Sequence, residues 1–186
     1  MQAARGTPLS GDTTQLPPAP ARWRRLGVLA AIAAFVYALD QVSKIIAVRE
    51  LTDRAPIELA GGVLTLRLTR NSGAAFSIGT GSTVVFSLVA VVVVVVILRT
   101  ARRLGSFGWA AALGLLLGGA LGNLTDRVLR APGFLRGHVV DFLELPRWPV
   151  FNVADMAIVS SAAAIVLLSM LGRQLDGTRT PPRARD

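Results

Sequence analysis

The fold is decided by residues 138–155, which place two carboxylates beside an apolar helix. They read His138-Val139-Val140-Asp141-Phe142, then a loop with Pro146 and Pro149, then Phe151-Asn152-Val153-Ala154-Asp155. A long apolar run follows, up to residue 171. Because a carboxylate costs about 2.5–3.5 kcal/mol to insert into hydrocarbon, such a group is usually retained for function. Two carboxylates near one membrane face indicate acid–base chemistry.

The composition around this stretch is that of a membrane protein. The 186 residues are 52% hydrophobic with a mean hydropathy of +0.55, too apolar for an ordinary soluble domain. The net charge of +9 comes from arginines that flank apolar segments rather than form one basic stripe, so we expect no nucleic-acid partner. The absence of cysteine excludes disulfides, thiolate metal ligands and a cysteine nucleophile.

Four apolar segments are long enough to cross a bilayer, which takes about 20 helical residues. They lie at about 26–48, 83–98, 107–124 and 153–171, and they predict an all-α membrane protein with a four-helix domain at 26–171. We expect the polar segments 1–25 and 172–186 to be disordered cytoplasmic tails. The first segment also loosely fits a cleaved signal peptide, but the long leading tail and the later spans favour a retained helix.

The connection between the first two spans has the pattern of a small sheet. Leu64, Leu66 and Leu68 alternate with polar residues, and Gly61-Gly62 offers a turn back to residues 56–59. The strand leads into Asn71-Ser72-Gly73-Ala74-Ala75-Phe76. Its small residues allow close backbone approach and its asparagine can anchor a peptide-like ligand, although a plain turn before the next helix is an equal alternative.

The third span carries Gly114, Gly118 and Gly122 at four-residue spacing. This spacing predicts close packing against a neighbouring helix more than a ligand contact.

The distribution of arginines predicts the orientation of the spans. Eleven lie in the two tails and in the tight turn at residues 99–103, and eight lie in the longer loops of the other side. The positive-inside rule then places both termini in the cytoplasm. This topology brings polar residues of separate spans and of both outer loops to the outer face: Asp40, Asn71, Asn123, Asp126, Arg127, Asp141, Asn152 and Asp155.

Asp141 and Asp155 flank a short loop that can fold them toward each other. Two carboxylates in a poorly solvated site cannot both ionise easily, so the pair can share a proton. The ionised member then takes a proton from water while the protonated one polarises an amide carbonyl. Asp155 also has a structural interpretation, because Asn152 and Asp155 have the spacing of a capping box.

The other polar residues have structural interpretations. Asp40 and Lys44 form an i,i+4 pair on one helix face. Asp126 and its neighbour Arg127 indicate an ion pair at the end of the third span. Asn123 is interpreted as a hydrogen-bonding brace.

The residues that other catalytic mechanisms require are missing from the sequence or wrongly spaced. His138 is the only histidine, so a clustered zinc site is not expected. A Ser–Lys dyad would need Lys44, and the neighbouring Ser43 points away from it on a helix. There is no G-x-S-x-G turn and no P-loop. The aspartate pair is what remains.

Five segments, in order along residues 26–171, resemble the lipoprotein signal peptidase family, also called signal peptidase II. They are residues 40–44 (Asp-Gln-Val-Ser-Lys), 71–76, 118–127 (Gly-Gly-Ala-Leu-Gly-Asn-Leu-Thr-Asp-Arg), 139–142 and 151–155. The resemblance implies a monomeric aspartyl endopeptidase of the bacterial inner membrane, with its active site at the extracytoplasmic face and no metal or organic cofactor. Its substrates would be prolipoproteins carrying diacylglycerol on a cysteine, cut just before that cysteine within membrane lipid and cradled by the outer sheet.

The resemblance also implies residue roles. Asp141 and Asp155 would be the catalytic pair. Substrate binding or positioning of the pair would fall to Asn71, Gly73, Asn123, Arg127 and Asn152, and structural support to Asp40, Lys44 and Asp126.

Two other classes of function would use some of the same residues. A small transporter could use the aspartates as an ion path, but polar residues should then cross the whole membrane depth, and the second and fourth spans have almost none. An assembly protein would explain the glycine face but not the paired aspartates.

Overall fold

The structure, a computed structural model, describes residues 19–73 and 82–179. These residues form four α-helices, α1 (Ala19–Leu51), α2 (Ser82–Thr100), α3 (Phe107–Leu129) and α4 (Val153–Met170), and three strands, β1 (Ile57–Leu59), β2 (Leu64–Asn71) and β3 (Val139–Glu144). All four helices are long and apolar enough to cross a membrane. The predicted fold class, an all-α membrane protein with a small sheet, is confirmed.

Two predicted tails are ordered where they adjoin the helices. Residues 19–25 belong to α1, because arginine and alanine are good helix formers. Residues 173–179 form a turn that docks on the α2–α3 connection: Gly105 N donates to Leu175 O at 2.8 Å, and Leu175 packs on the core. The disorder prediction is wrong for these two segments. Residues 1–18 and 180–186, the rest of the predicted tails, lie outside the described residues.

The glycine face of α3 packs against α1, as its spacing predicts. A Cβ atom on Gly114 would lie 2.8 Å from the carbonyl oxygen of Leu29, and one on Gly118 would lie 2.7 Å from that of Ala33. No side chain fits between these backbones, so α1 and α3 approach closely. Gly122, the last of the series, faces the carboxylate of Asp40.

The sheet is antiparallel in the order β1-β2-β3. The sequence predicts its first two strands but not β3. Residues 139–142 of β3 are all buried, so the strand lacks the period-two alternation that marks a half-buried strand. Val140 and Phe142 instead form a core cluster with Ala47 and Leu51, which fixes the sheet to the end of α1.

The chain returns from β3 to α4 through a closed loop. Phe151 O accepts hydrogen bonds from Phe142 N at 3.0 Å and Leu143 N at 2.9 Å, and Phe151 N donates to Leu143 O at 2.8 Å. This closure sets the first residue of α4 beside β3. It therefore brings the two segments that carry Asp141 and Asp155 together.

Candidate active site

Asp141 lies on β3 and is only 2% exposed. Its Oδ2 accepts a hydrogen bond from Asn71 Nδ2 at 2.9 Å, and its Oδ1 accepts one from Asn152 Nδ2 at 2.6 Å. Strand register explains the first contact, since Thr69 pairs with Asp141 and Asn71 is its diagonal neighbour on β2. Both donors are neutral amides.

Asp155 lies in the first turn of α4 and is half-buried. A capping box holds it: Asn152 Oδ1 accepts from Asp155 N at 3.0 Å, and Asp155 Oδ2 accepts from Asn152 N at 3.2 Å. Its remaining oxygen, Oδ1, accepts from Asn123 Nδ2 at 2.8 Å. The capping interpretation is confirmed, and the cap also fixes the direction of the carboxylate toward the network around Asp141.

Asn152 joins the two carboxylates. It is fully buried, and its side-chain Nδ2 donates to Asp141. Its backbone N–H and its side-chain Oδ1 form the capping box with Asp155. Burial raises the pKa of Asp141 to about 6; the hydrogen bond from Asn71 opposes this rise, and the negative charge of Asp155 adds to it. A carboxyl group with this pKa can exchange a proton near neutral pH.

A second set of charges lies next to the pair and is centred on Lys44. The fully buried Lys44 Nζ lies 2.8 Å from Asp40 Oδ2 and 2.9 Å from Asp126 Oδ2, and it donates to Asn123 Oδ1 at 2.9 Å. The backbone contacts of these aspartates are to the start of α4 and to β3: Asp40 Oδ1 accepts from Ala154 N at 2.9 Å, and Asp126 Oδ2 accepts from Val140 N at 3.2 Å. The set therefore ties α1 and α3 to the two elements that carry the carboxylate pair.

One predicted ion pair is wrong. Asp126 pairs with Lys44 and with Arg130, not with its neighbour Arg127. Successive side chains on a helix diverge, whereas Arg130 lies one turn on and faces the same side.

Arg127 instead lies over an aromatic ring. Its Cζ is 5.5 Å from the centre of the Phe86 ring, and the charges of Asp141, Asp126 and Asp155 act on it. Within residues 19–73 and 82–179, its buried Nη1 has no hydrogen-bond partner. The same ring contacts Gly73, whose φ is +89° and where a Cβ would lie 2.7 Å from Phe86 Cδ2. A side chain at Gly73 would therefore displace Phe86 from Arg127.

The structure places all ten predicted site residues in this one region. The second half of the motif at 71–76 lies outside the described residues. The sequence analysis included Gln41 in the motif at 40–44 but gave it no role at the site, and it did not single out Phe86. Gln41 Nε2 donates to Asp40 Oδ2 at 3.0 Å and to Gly122 O at 3.1 Å. A polar glutamine inside an apolar span was a usable signal, whereas Phe86 looks like any lipid-facing residue. In the described part of the chain, no three His, Cys, Asp or Glu residues are grouped to hold a metal ion.

Comparison with known proteins identifies the family of the chain. The sequence profile described as signal peptidase (SPase) II matches residues 32–171. The chain belongs to the signal peptidase II family. It is therefore an aspartic peptidase of the bacterial membrane, which decides against the transporter and assembly interpretations.

Individual relatives are similar over most of the chain. The lipoprotein signal peptidase of Rhodococcus jostii is 51% identical over 163 residues, which cover 88% of this chain and 82% of the relative. That of Mycobacterium tuberculosis is 52% identical over 160 residues, covering 86% and 79%. A bacterial membrane enzyme solved by the in meso method at 1.9 Å superposes with a TM-score of 0.69 at 28% identity, covering 80% of this chain and 95% of its own.

Proposed function

We propose that this chain removes the signal peptide from diacylglyceryl-modified prolipoproteins by hydrolysing the bond before the lipidated cysteine. The names of its relatives support the substrate class. The observation that carries the proposal is the Asp141–Asn152–Asp155 arrangement, located where apolar helices end. A substrate held in the bilayer by its lipid would present a bond at this depth.

In the proposed reaction, Asp141 and Asp155 share one proton. The ionised carboxylate takes a proton from a water molecule while the oxygen of that water bonds to the scissile carbonyl carbon. The protonated carboxyl donates its proton to the carbonyl oxygen. The tetrahedral intermediate then collapses: the C–N bond breaks and a proton passes from the pair to the leaving amine. The raised pKa of Asp141 supports this role, because one carboxyl must keep its proton near neutral pH.

The three asparagines are the proposed positioning residues. Asn123 Oδ1 accepts from Lys44 Nζ at 2.9 Å and from Asn152 Nδ2 at 3.2 Å. With its oxygen occupied, Asn123 must direct its amide hydrogens to Asp155. Lys44 thus acts on the pair through Asn123, while Asn71 and Asn152 hold Asp141. Arg127 and Gly73 are proposed to contact substrate, since the guanidinium has an unused buried donor beside the pair.

We place the active site at the extracytoplasmic face, with both termini in the cytoplasm. The two ends of the bundle differ in charge. At the end with the termini, which we call the basic end, the described residues include one aspartate, Asp176, and eight arginines: Arg22, Arg24, Arg25, Arg99, Arg102, Arg103, Arg173 and Arg179. Acidic and basic residues nearly balance at the site end. The positive-inside rule favours this orientation. We propose a monomer, because the carboxylate pair and its three asparagines complete one hydrogen-bonded network within a single chain.

The test is cleavage of a synthetic diacylglyceryl-cysteine prolipoprotein by purified protein in detergent, beside the same peptide without lipid, with a chelator present. We expect cleavage of the lipidated peptide only, before the cysteine, and no effect of the chelator. Equal cleavage of both peptides would disprove the lipid requirement. Loss of activity in chelator that added metal restores would disprove the two-aspartate mechanism.

A further inference from the structure

A small pocket lies at the basic end. It is a shallow space of about 220 Å³ lined by Gly105, Ser106, Arg173, Gln174, Gly177 and Arg179. The turn at residues 173–179 forms one wall and is held in place from both sides. Trp109 Nε1 donates to Arg173 O at 2.9 Å, and a Cβ on Gly177 would lie only 2.5 Å from the Gly105 carbonyl oxygen.

The charged groups of this pocket are two arginines, which only donate hydrogen bonds. Arg173 and Arg179 face each other across the turn through a backbone bridge, so two guanidinium groups belong to one wall. Opposite them is Ser106, a residue type that usually caps a helix; here its side chain makes no cap to α3. A ligand with several acceptor oxygens matches this set.

A second pair of arginines borders the same segment. Arg25 lies with its Cζ 5.4 Å from the ring centre of Phe107, which follows Ser106. Its Nε and Nη1, and the Nε of Arg22 one turn earlier, are buried without a hydrogen-bond partner among the residues that the structure describes. Donors left in this state cost free energy unless something outside the described chain accepts from them.

The described residues supply little negative charge at the basic end. In the described ranges no carboxylate lies within 4.0 Å of any of the eight arginines of the basic end, whereas six close ion pairs occur at the site end. Asp176 is the one carboxylate nearby, and its Oδ1 accepts from Thr178 N and Oγ1. A balancing anion therefore has to come from outside the described residues.

We propose that the pocket at 105–106 and 173–179 binds the phosphate headgroup of an anionic phospholipid. The pocket is at the ends of membrane-spanning helices, at the depth of lipid headgroups. Basic pockets between helices at the cytoplasmic surface have the charge and shape to hold such headgroups. The lipid would fix the docked turn to α3 from the face opposite the active site, independently of the peptidase reaction.

The test is native mass spectrometry of the full chain in an uncharged detergent, titrated with phosphatidylglycerol or with phosphatidylcholine of the same acyl chains. We expect phosphatidylglycerol to bind about tenfold more tightly or better. The R173Q/R179Q variant should lose about tenfold in this affinity. The control variant R102Q/R103Q removes the same charge from exposed arginines of the same end and should change it by about twofold or less.

Four outcomes would overturn the proposal. Equal binding of the two lipids would show that headgroup charge is not recognised. Equal losses in the two double variants would show a diffuse attraction rather than a pocket. Displacement of the lipid by millimolar inorganic phosphate would show a site for soluble anions. The variant R173K/R179K keeps both charges and should retain most of the affinity; a loss as large as in R173Q/R179Q would show that the turn's structure, not its charge, governs binding.

Discussion

Two pairs of carboxylates lie side by side in this protein and have different partners. Asp40 and Asp126 share the ammonium group of Lys44 and accept from backbone amides. Asp141 and Asp155 accept only neutral hydrogen bonds, from three asparagines. A cation beside a carboxylate favours its ionised form, whereas burial with neutral donors lets it keep a proton. The fold therefore separates a charged structural set from a pair able to exchange protons.

The two pairs should respond differently to substitution. A buried ion pair that loses one partner leaves an uncompensated charge, so damage to the Lys44 set should appear as loss of stability. Asp141 and Asp155 form no direct ion pair among the described residues, and the charges of Lys44 and Arg127 act on them from a greater distance. Damage to this pair should appear as loss of turnover in a folded protein.

The largest expected effect is on catalysis. Asp141→Asn and Asp155→Asn should each lower kcat at least a hundredfold and up to about ten-thousandfold, the range for losing a general acid or base. The measurement is kcat on the lipidated substrate, with Tm as the check on folding. Glu144→Gln is the matched control: this carboxylate is on the same strand but forms a surface ion pair with Arg67 at 3.0 Å, and its loss should leave kcat unchanged. Substantial turnover by either asparagine variant would remove that residue from the catalytic pair.

The largest effect on stability should come from Lys44→Met. It leaves Asp40 and Asp126 buried without their shared cation and should cost about 3–5 kcal/mol, measured by unfolding in detergent. The triple variant D40N/K44M/D126N removes all three charges and should recover much of this loss. A Lys44→Met variant as stable as the wild type would show that Lys44 does not hold Asp40 and Asp126 together.

Gly122→Ala should have an intermediate effect. Its Cβ would overlap the carboxylate of Asp40 and force α1 and α3 apart, at a cost of about 1–3 kcal/mol. Gly27→Ala is the control, because nothing lies within 4 Å of its Cβ position, and alanine favours a helix over glycine. Equal stabilities for the two variants, measured as Tm, would contradict the close contact at Gly122.

The smallest effect is a shift in pH dependence. Proton loss from Asp141 near pH 6 should set the alkaline limb of kcat/KM for the free enzyme. The hydrogen bond from Asn71 stabilises the ionised form and lowers this pKa, so Asn71→Leu should move the limb to higher pH by roughly one unit. Ser72→Ala is the control, since Ser72 contacts Thr83 through its backbone carbonyl. A limb that moves to lower pH, or stays in place, would refute the role of Asn71.

Much of the site could be predicted from the sequence because its restraints are local or topological. The Asp40–Lys44 pair and the Asn152–Asp155 cap depend on helical spacing within one segment. The alternation of four spans then brings the polar ends of the helices to one face, whatever their exact packing. Such inferences need no knowledge of side-chain contacts.

The features that the sequence did not predict depend on contacts between distant segments. The partner of Asp126 is Lys44, 82 positions earlier, and spacing within α3 pointed to Arg127 instead. Strand β3 is buried on both faces and so lost the pattern by which strands are recognised. The turn at 173–179 is ordered because Gly105 and Gly177 let it pack closely on the α2–α3 connection, although its composition is typical of a solvated tail.

The most direct test of the central claim is an infrared titration of the carboxyl groups, comparing the wild type with Asp141→Asn and Glu144→Gln. We predict a protonated-carboxyl band in the wild type that disappears as the pH rises through about 6, is lost in Asp141→Asn and is unchanged in Glu144→Gln. A wild type with no protonated carboxyl at about pH 5, or a band that persists in Asp141→Asn, would contradict the claim that the fold keeps a proton on this pair.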